Sequence, residues 1–181
     1  QHVIRFDMPE ETREVYNEMK KHMVVGDIEA ANEAVKSGKL RQIASGFMYD
    51  ETTQILDWAR YDALLKWVDA LDGKPGLVFY EFIQQSWWTT ELPENIRFAQ
   101  INSMSHGVDG LQHEFSDVLF IQPMWSRDAT EQAIGRVWRT GQTKPVNVTT
   151  LVCENTLDDL VTERVEDRGA WMKLFMQHLQ N

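Results

Sequence analysis

The sequence predicts an α/β fold: a parallel, doubly wound sheet sandwiched by helices. Two observations carry that prediction. From Tyr61 onward, short apolar strand candidates alternate with amphipathic helical stretches, the order expected of successive βαβ units. Turn sequence punctuates the alternation, most clearly DGKPG at 72–76.

The elements follow in order. Residues 3–6 (VIRF) form a strand candidate. Asp7, with Glu10 three positions on, marks a helix start, and Pro9 is tolerated in a first turn. Thr12, Val15, Tyr16, Met19 and Met23 then recur at helical spacing. Gly26-Asp27 breaks that helix. A second is expected over 28–36, stopped by Ser37-Gly38, and a short helical turn over 40–47. Tyr61, Leu64, Leu65, Val68 and Leu71 give the next helix, and residues 77–80 (LVFY) a buried strand. Further strands are expected at 98–102, 118–122 and 146–152. A long final helix is expected from Thr156, with Asp159 in capping position.

The formal net charge is -10. A nucleic-acid binder usually carries a basic stripe, so any DNA contact here should be local or depend on a more basic companion domain. The acidic residues concentrate in helical stretches such as 9–18 and 158–167, read as solvated faces. Cys153 is the single cysteine, which excludes an internal disulfide and a cysteine-rich metal site. No apolar run is long enough to span a bilayer, and residues 1–10 lack signal-peptide order. A cytoplasmic protein without membrane association is expected.

The segment richest in chemistry is DATEQAIGRVWRTG at 128–141. Asp128 and Glu131 fit a capping box, and Gly141 a helix stop. On a helical wheel Ala133, Ile134, Val137 and Trp138 share one side, and Gln132, Gly135, Arg136 and Arg139 the other. Arginine stays charged and can grip phosphate oxygens with two parallel bonds, which suits charge developing on a transferred phosphoryl group. The same pattern also suits a surface helix whose arginines pair with neighbouring acids. A second cluster, INSMSHGVDGLQ at 101–112, runs from a strand into a loop with two glycines and a carboxylate. Loops at the carboxyl ends of parallel strands commonly take ligands; the competing reading is a tight strand-to-helix connection. No phosphate-binding G-x-x-x-x-G-K-[ST] run occurs, and no apolar strand ends in paired acids.

QAIGRVWRTGQ at 132–142 resembles motif VI of Swi/Snf-type superfamily-two helicases, close to Q-x-x-x-R-x-x-R-x-G-Q. Residues 77–82 resemble motif IV, and SHGVDGLQ at 105–112 resembles motif V in a phage-like spelling. FIQPMWS at 120–126 is similar to the strand and tryptophan turn before motif VI. Residues 144–148 and 155–159 resemble the closing strand and final helix, and 39–47 the preceding helical linker.

The resemblance implies a second RecA-like lobe over 61–181, preceded by a helical linker from a first lobe over 1–60. It implies that Arg136 and Arg139 reach ATP phosphates, with Arg139 the arginine finger and Gln132 supporting them. Gly107 and Asp109 would touch the nucleotide sugar, and Ser105 and Tyr80 would face a DNA backbone. ATP with Mg2+ is the implied cofactor, the metal's ligands lying on the first lobe. The implied partners are that lobe and double-stranded DNA. Without a phosphate loop the chain is expected to be inactive alone. The alternative is a non-enzymatic DNA- or protein-binding module derived from such a lobe. Two departures stand out. Motif V is contracted at 109–112, and only one helix fits between Phe82 and Phe98, where the family has an additional strand and helix.

Overall fold

A computed structural model describes residues 1–105, 109–162 and 176–180. In chain order, the first half contains β1 (His2–Phe6), α1 (Glu10–His22), β2 (Val24–Val25), β3 (Ile28–Glu29), α2 (Glu33–Ala44), β4 (Phe47–Tyr49) and β5 (Thr53–Ile55). Then come α3 (Ala59–Ala70), β6 (Gly76–Tyr80), a 3₁₀ helix (Ile83–Glu91), β7 (Ile96–Gln100) and a second 3₁₀ helix (Ile101–Ser105). The remainder holds α4 (Leu111–Glu114), β8 (Asp117–Phe120), α5 (Arg127–Val137), β9 (Asn147–Cys153) and α6 (Leu157–Thr162). Two compact units result: residues 1–4 with 61–151, and residues 5–60 with 152–181. The expected break between residues 60 and 61 coincides with a unit boundary, but residues 152–181 group with the N-terminal segment.

The first unit is organised by a five-stranded sheet of order β1-β9-β8-β6-β7. β6 pairs in parallel with both β7 and β8, and β8 in parallel with β9, as the alternation of strands and helices predicts. Leu77, Val78 and Phe79 of β6 are all fully buried, so both faces of this central strand are covered. Phe79 stacks on Phe120 of β8, ring centroids 5.3 Å apart. Their core continues through Leu111, Phe115, Val118, Ala133, Val137 and Val148, which packs α4 and α5 against the sheet. The strand expected at 98–102 ends earlier, at Gln100, and Ile101 begins a 3₁₀ turn instead. The single helix expected between Phe82 and Phe98 is the 3₁₀ helix 83–91, whose Trp88 is buried against Tyr61.

The second unit corrects several local expectations. The helix expected over 28–36 is divided. Val24–Val25 and Ile28–Glu29 pair as a minimal hairpin around Gly26-Asp27. α2 starts only after Asn32, whose side chain accepts from the Val35 N–H at 3.0 Å. It then runs through Ser37-Gly38, because the buried faces of Leu40, Ile43 and Ala44 outweigh the roughly 1 kcal/mol propensity cost of one glycine. The helical turn expected over 40–47 is the end of α2 followed by a hairpin of β4 and β5. Gly46 permits that sequel: its φ is +89°, and a Cβ there would lie 2.5 Å from the Asp57 carbonyl oxygen.

The start of α6 agrees with its expected cap. Thr156 Oγ1 accepts from the Asp158 N–H at 3.1 Å, and Asp159 accepts from the Asn155 N–H at 2.7 Å. Beyond Thr162, residues 163–175 of the expected long helix lie outside the described residues. The acidic stretch beginning at Asp158 is not simply a solvated face. Asp158 is 3% exposed and bonds Arg60 at 2.6 Å. No helix among the described residues is long and apolar enough to cross a membrane.

Candidate functional site

α5 positions the arginines, and it forms two residues earlier than its sequence suggests. Its N-cap is Ser126, whose hydroxyl accepts from the Ala129 N–H at 3.1 Å. Asp128, expected to cap, instead sits in the first turn, where its charge opposes the positive helix end. Arg127 and Glu131 form an exposed ion pair at 2.7 Å. Ala133 and Val137 enter the core as the wheel requires, and Gln132 and Gly135 are exposed on the opposite side.

The helix stops at Val137, so the two arginines do not share a continuous turn. Arg136 closes the last helical turn and is partly buried. Arg139 opens the following turn, closed by the Gln142 N–H donating to the Arg139 carbonyl at 3.0 Å. Gly141 lies in that turn with φ +100°, and a Cβ would approach the His113 ring to 2.8 Å. Trp138 also departs from the wheel. Expected on the apolar side, it lies past the helix end at φ -92°, ψ 80° and is 74% exposed.

The residues after β7 reach this same place. The second 3₁₀ helix packs against α5, as does α4. Asp109 brings a carboxylate oxygen 3.9 Å from the Arg139 guanidinium, with the side chains 91% and 49% exposed. An ion pair so open is worth at most about 1 kcal/mol, so it does not sequester the arginine. Asp109 lies in the segment that follows the 3₁₀ helix after β7 and precedes α4. The segment 109–114 leads down to the start of β8, and meets the exit of α5 there. Tyr80 does end a strand, β6, and its ring stacks on Phe98 at 4.9 Å. Ser105 ends the 3₁₀ helix after β7. Gly107 and its neighbours His106 and Val108 lie outside the described residues.

Gln142 matters more than its residue type suggests. Its side-chain amide donates to the Phe115 carbonyl at 2.7 Å and to the Val137 carbonyl at 3.2 Å, while its oxygen accepts from the Lys144 N–H at 3.0 Å. One amide thus ties the end of α5 to the residue leading into β8 and fixes the turn carrying Arg139. Trp138, Arg139, Gln142 and Lys144 line a shallow, open depression. Neither Trp138 nor Lys144 was singled out as a site residue from the sequence, since a single tryptophan on an apolar face and a single lysine carry no signal of ligand contact. Gln142→Ala is expected to leave two carbonyls without their donor and to cost about 1–2 kcal/mol. A melt should show it as a fall of roughly 2–8 °C.

No protein-family model matches the sequence. Protein p41 of Acyrthosiphon pisum secondary endosymbiont phage 1 is 28% identical over 213 residues, covering 98% of this chain and 45% of its own length. That alignment exceeds the 181 residues here, so at least 32 of its 213 positions have no counterpart in this chain. The chromatin-remodeling ATPase INO80 of Candida albicans is 31% identical over 110 residues, covering 60% of this chain and 8% of its own. The chain therefore spans less than half the length of these relatives. Among solved structures, the C-terminal part of the Fun30 ATPase domain matches with a TM-score of 0.52 and 16% identity, over 67% of this chain and 54% of that one.

Proposed function

We propose that the chain supplies one half of a composite ATP site in a DNA translocase, a reading supported by its similarity to the chromatin-remodeling ATPase INO80 over 110 residues and by the likeness of its fold to the C-terminal part of the Fun30 ATPase domain. The observation that carries this reading is the meeting of Arg139 and Asp109. Two segments 30 residues apart in sequence converge on a half-exposed guanidinium held at a helix exit. A guanidinium so placed can dock on phosphate oxygens presented by a facing lobe, with Arg136 behind it on the last helical turn.

In this reading Asp109 holds Arg139 in a near-ready orientation and accepts from ribose hydroxyls once a nucleotide is present. Gln132 and the bare surface of Gly135, beside which a Cβ would meet nothing within 4 Å, face the opposing lobe. That lobe brings the phosphate loop and the Mg2+ ligands. Tyr80 and Ser105, after β6 and β7, contribute to the DNA track, and duplex DNA stimulates turnover by favouring closure of the two lobes.

The test is reconstitution. The chain alone should hydrolyse no ATP. Fused to an intact first lobe, it should regain hydrolysis that duplex DNA accelerates. A well-folded fusion that binds DNA yet never turns over ATP would instead favour a non-enzymatic binding module, the reading the net charge of -10 keeps in view.

A further inference from the structure

An indole 74% exposed at the exit of α5 calls for a physical account. A lone exposed apolar side chain is common and needs none. Trp138, however, forms one wall of a depression of about 360 Å³ whose other walls are Arg139, Gln142 and Lys144. That volume falls at the small end of the range typical of small-molecule sites. The chemistry of the walls is selective. The indole offers a flat π-face, Arg139 and Lys144 offer positive charge, and the Gln142 amide is already committed to Phe115, Val137 and the Lys144 backbone. A ligand matching these walls has a flat ring at one end and an anion at the other, and is not read by the amide.

We infer that Trp138 is a stacking platform for the base of a nucleotide whose phosphates are held by Arg139 and Lys144. The inference rests on the half-site reading and names how this lobe engages the nucleotide beyond its phosphates. Openness of the depression means the lobe covers only one side of the ligand, so binding by the lobe alone is weak. Stacking is tolerant of base identity because every base has a π-face. ATP and GTP should therefore depend on Trp138 equally.

A 21.1 kDa chain is suited to heteronuclear NMR. The Trp138 indole N–H resonance is identified by its loss in Trp138→Phe, and the chain is titrated at low salt with ATP, inorganic tripolyphosphate and a short DNA duplex. ATP is expected to shift the indole resonance, and tripolyphosphate to bind without shifting it. Trp138→Ala should weaken ATP roughly tenfold or more while leaving tripolyphosphate unchanged, and Trp138→Phe should retain most of the affinity. The side chain is largely solvated, so neither variant should alter the melt.

The inference is overturned if Trp138→Ala binds ATP as well as the parent, if it loses ATP and tripolyphosphate equally, or if the duplex alone shifts the indole. Arg139→Ala separates the two levels. Tripolyphosphate binding that requires Arg139, with a silent indole, sinks the stacking and leaves the half-site. Tripolyphosphate that does not bind at all sinks both.

Discussion

Replacing Arg139 by alanine in a two-lobed fusion is expected to abolish ATP turnover while leaving the fold intact. Removal of an arginine finger costs on the order of a thousandfold or more in rate, because its guanidinium stabilises the charge that develops on the transferred phosphoryl. The cost to stability should be small. Arg139 is half exposed, and the carboxylate it pairs with, Asp109, is 91% exposed and 3.9 Å away, so the pair lost is worth about 1 kcal/mol at most. The two effects differ in kind, which makes the experiment decisive: steady-state hydrolysis should collapse while the thermal melt stays put. Arg139→Lys should rescue little, since an ammonium keeps the charge but not the planar, two-pronged grip. Turnover by Arg139→Ala within a few-fold of the parent would remove Arg139 from the chemistry.

Much of the sheet unit was legible in the sequence because its signals are local and redundant. The LVFY run at 77–80 is apolar enough to be a buried strand whatever surrounds it, and the glycines and proline at 72–76 stop the helix before it. The second unit was harder because its decisive signals compete. Gly38 advertises a helix end that tertiary burial of Leu40 and Ile43 overrides, and Asn32 caps a helix that the periodicity alone starts five residues too early. At the candidate site, residue types were legible and geometry was not. The wheel placed Arg136 and Arg139 on one face by assuming the helix continues. Its end at Val137 moves Arg139 into a turn and carries Trp138 out of the core. Nor could Gln142 be read as the amide that joins this turn to Phe115, because that contact spans 27 residues and leaves no periodic trace.

The largest expected stability effect lies in the other unit, at a pair whose acidic member, Asp158, begins a stretch read from the sequence as a solvated face. Arg60 is 1% exposed and Asp158 3%. The Arg60 guanidinium donates to Asp158 at 2.6 Å and to the Ala44 carbonyl at 2.9 Å, and lies over the Phe6 ring at 4.9 Å. The same Asp158 oxygen accepts from the Cys153 N–H at 2.9 Å. The pair thereby joins the end of α2, the start of α3, the end of β9 and the start of α6 through two side chains. Arg60→Ala strands a buried carboxylate and is expected to cost about 3–5 kcal/mol, as breaking a buried ion pair commonly does. That is a large share of the roughly 5–15 kcal/mol that keeps a domain folded. Urea titration should therefore show a midpoint far below the parent's.

Desolvation decides what the pair contributes beyond this. Taking both charges out of water is itself costly, so a neutral pair of similar volume need not be much worse than the original. Arg60→Met with Asp158→Asn tests this. The asparagine oxygen can still accept from the Cys153 N–H, and the methionine can fill the space over Phe6. The double variant is expected to recover at least half of the loss in Arg60→Ala, because the penalty in the single variant is mainly that of an unpaired buried charge. If the double variant is as unstable as the single one, the Arg60 hydrogen bonds to the α2 carbonyl, rather than its charge, carry the stability of this junction.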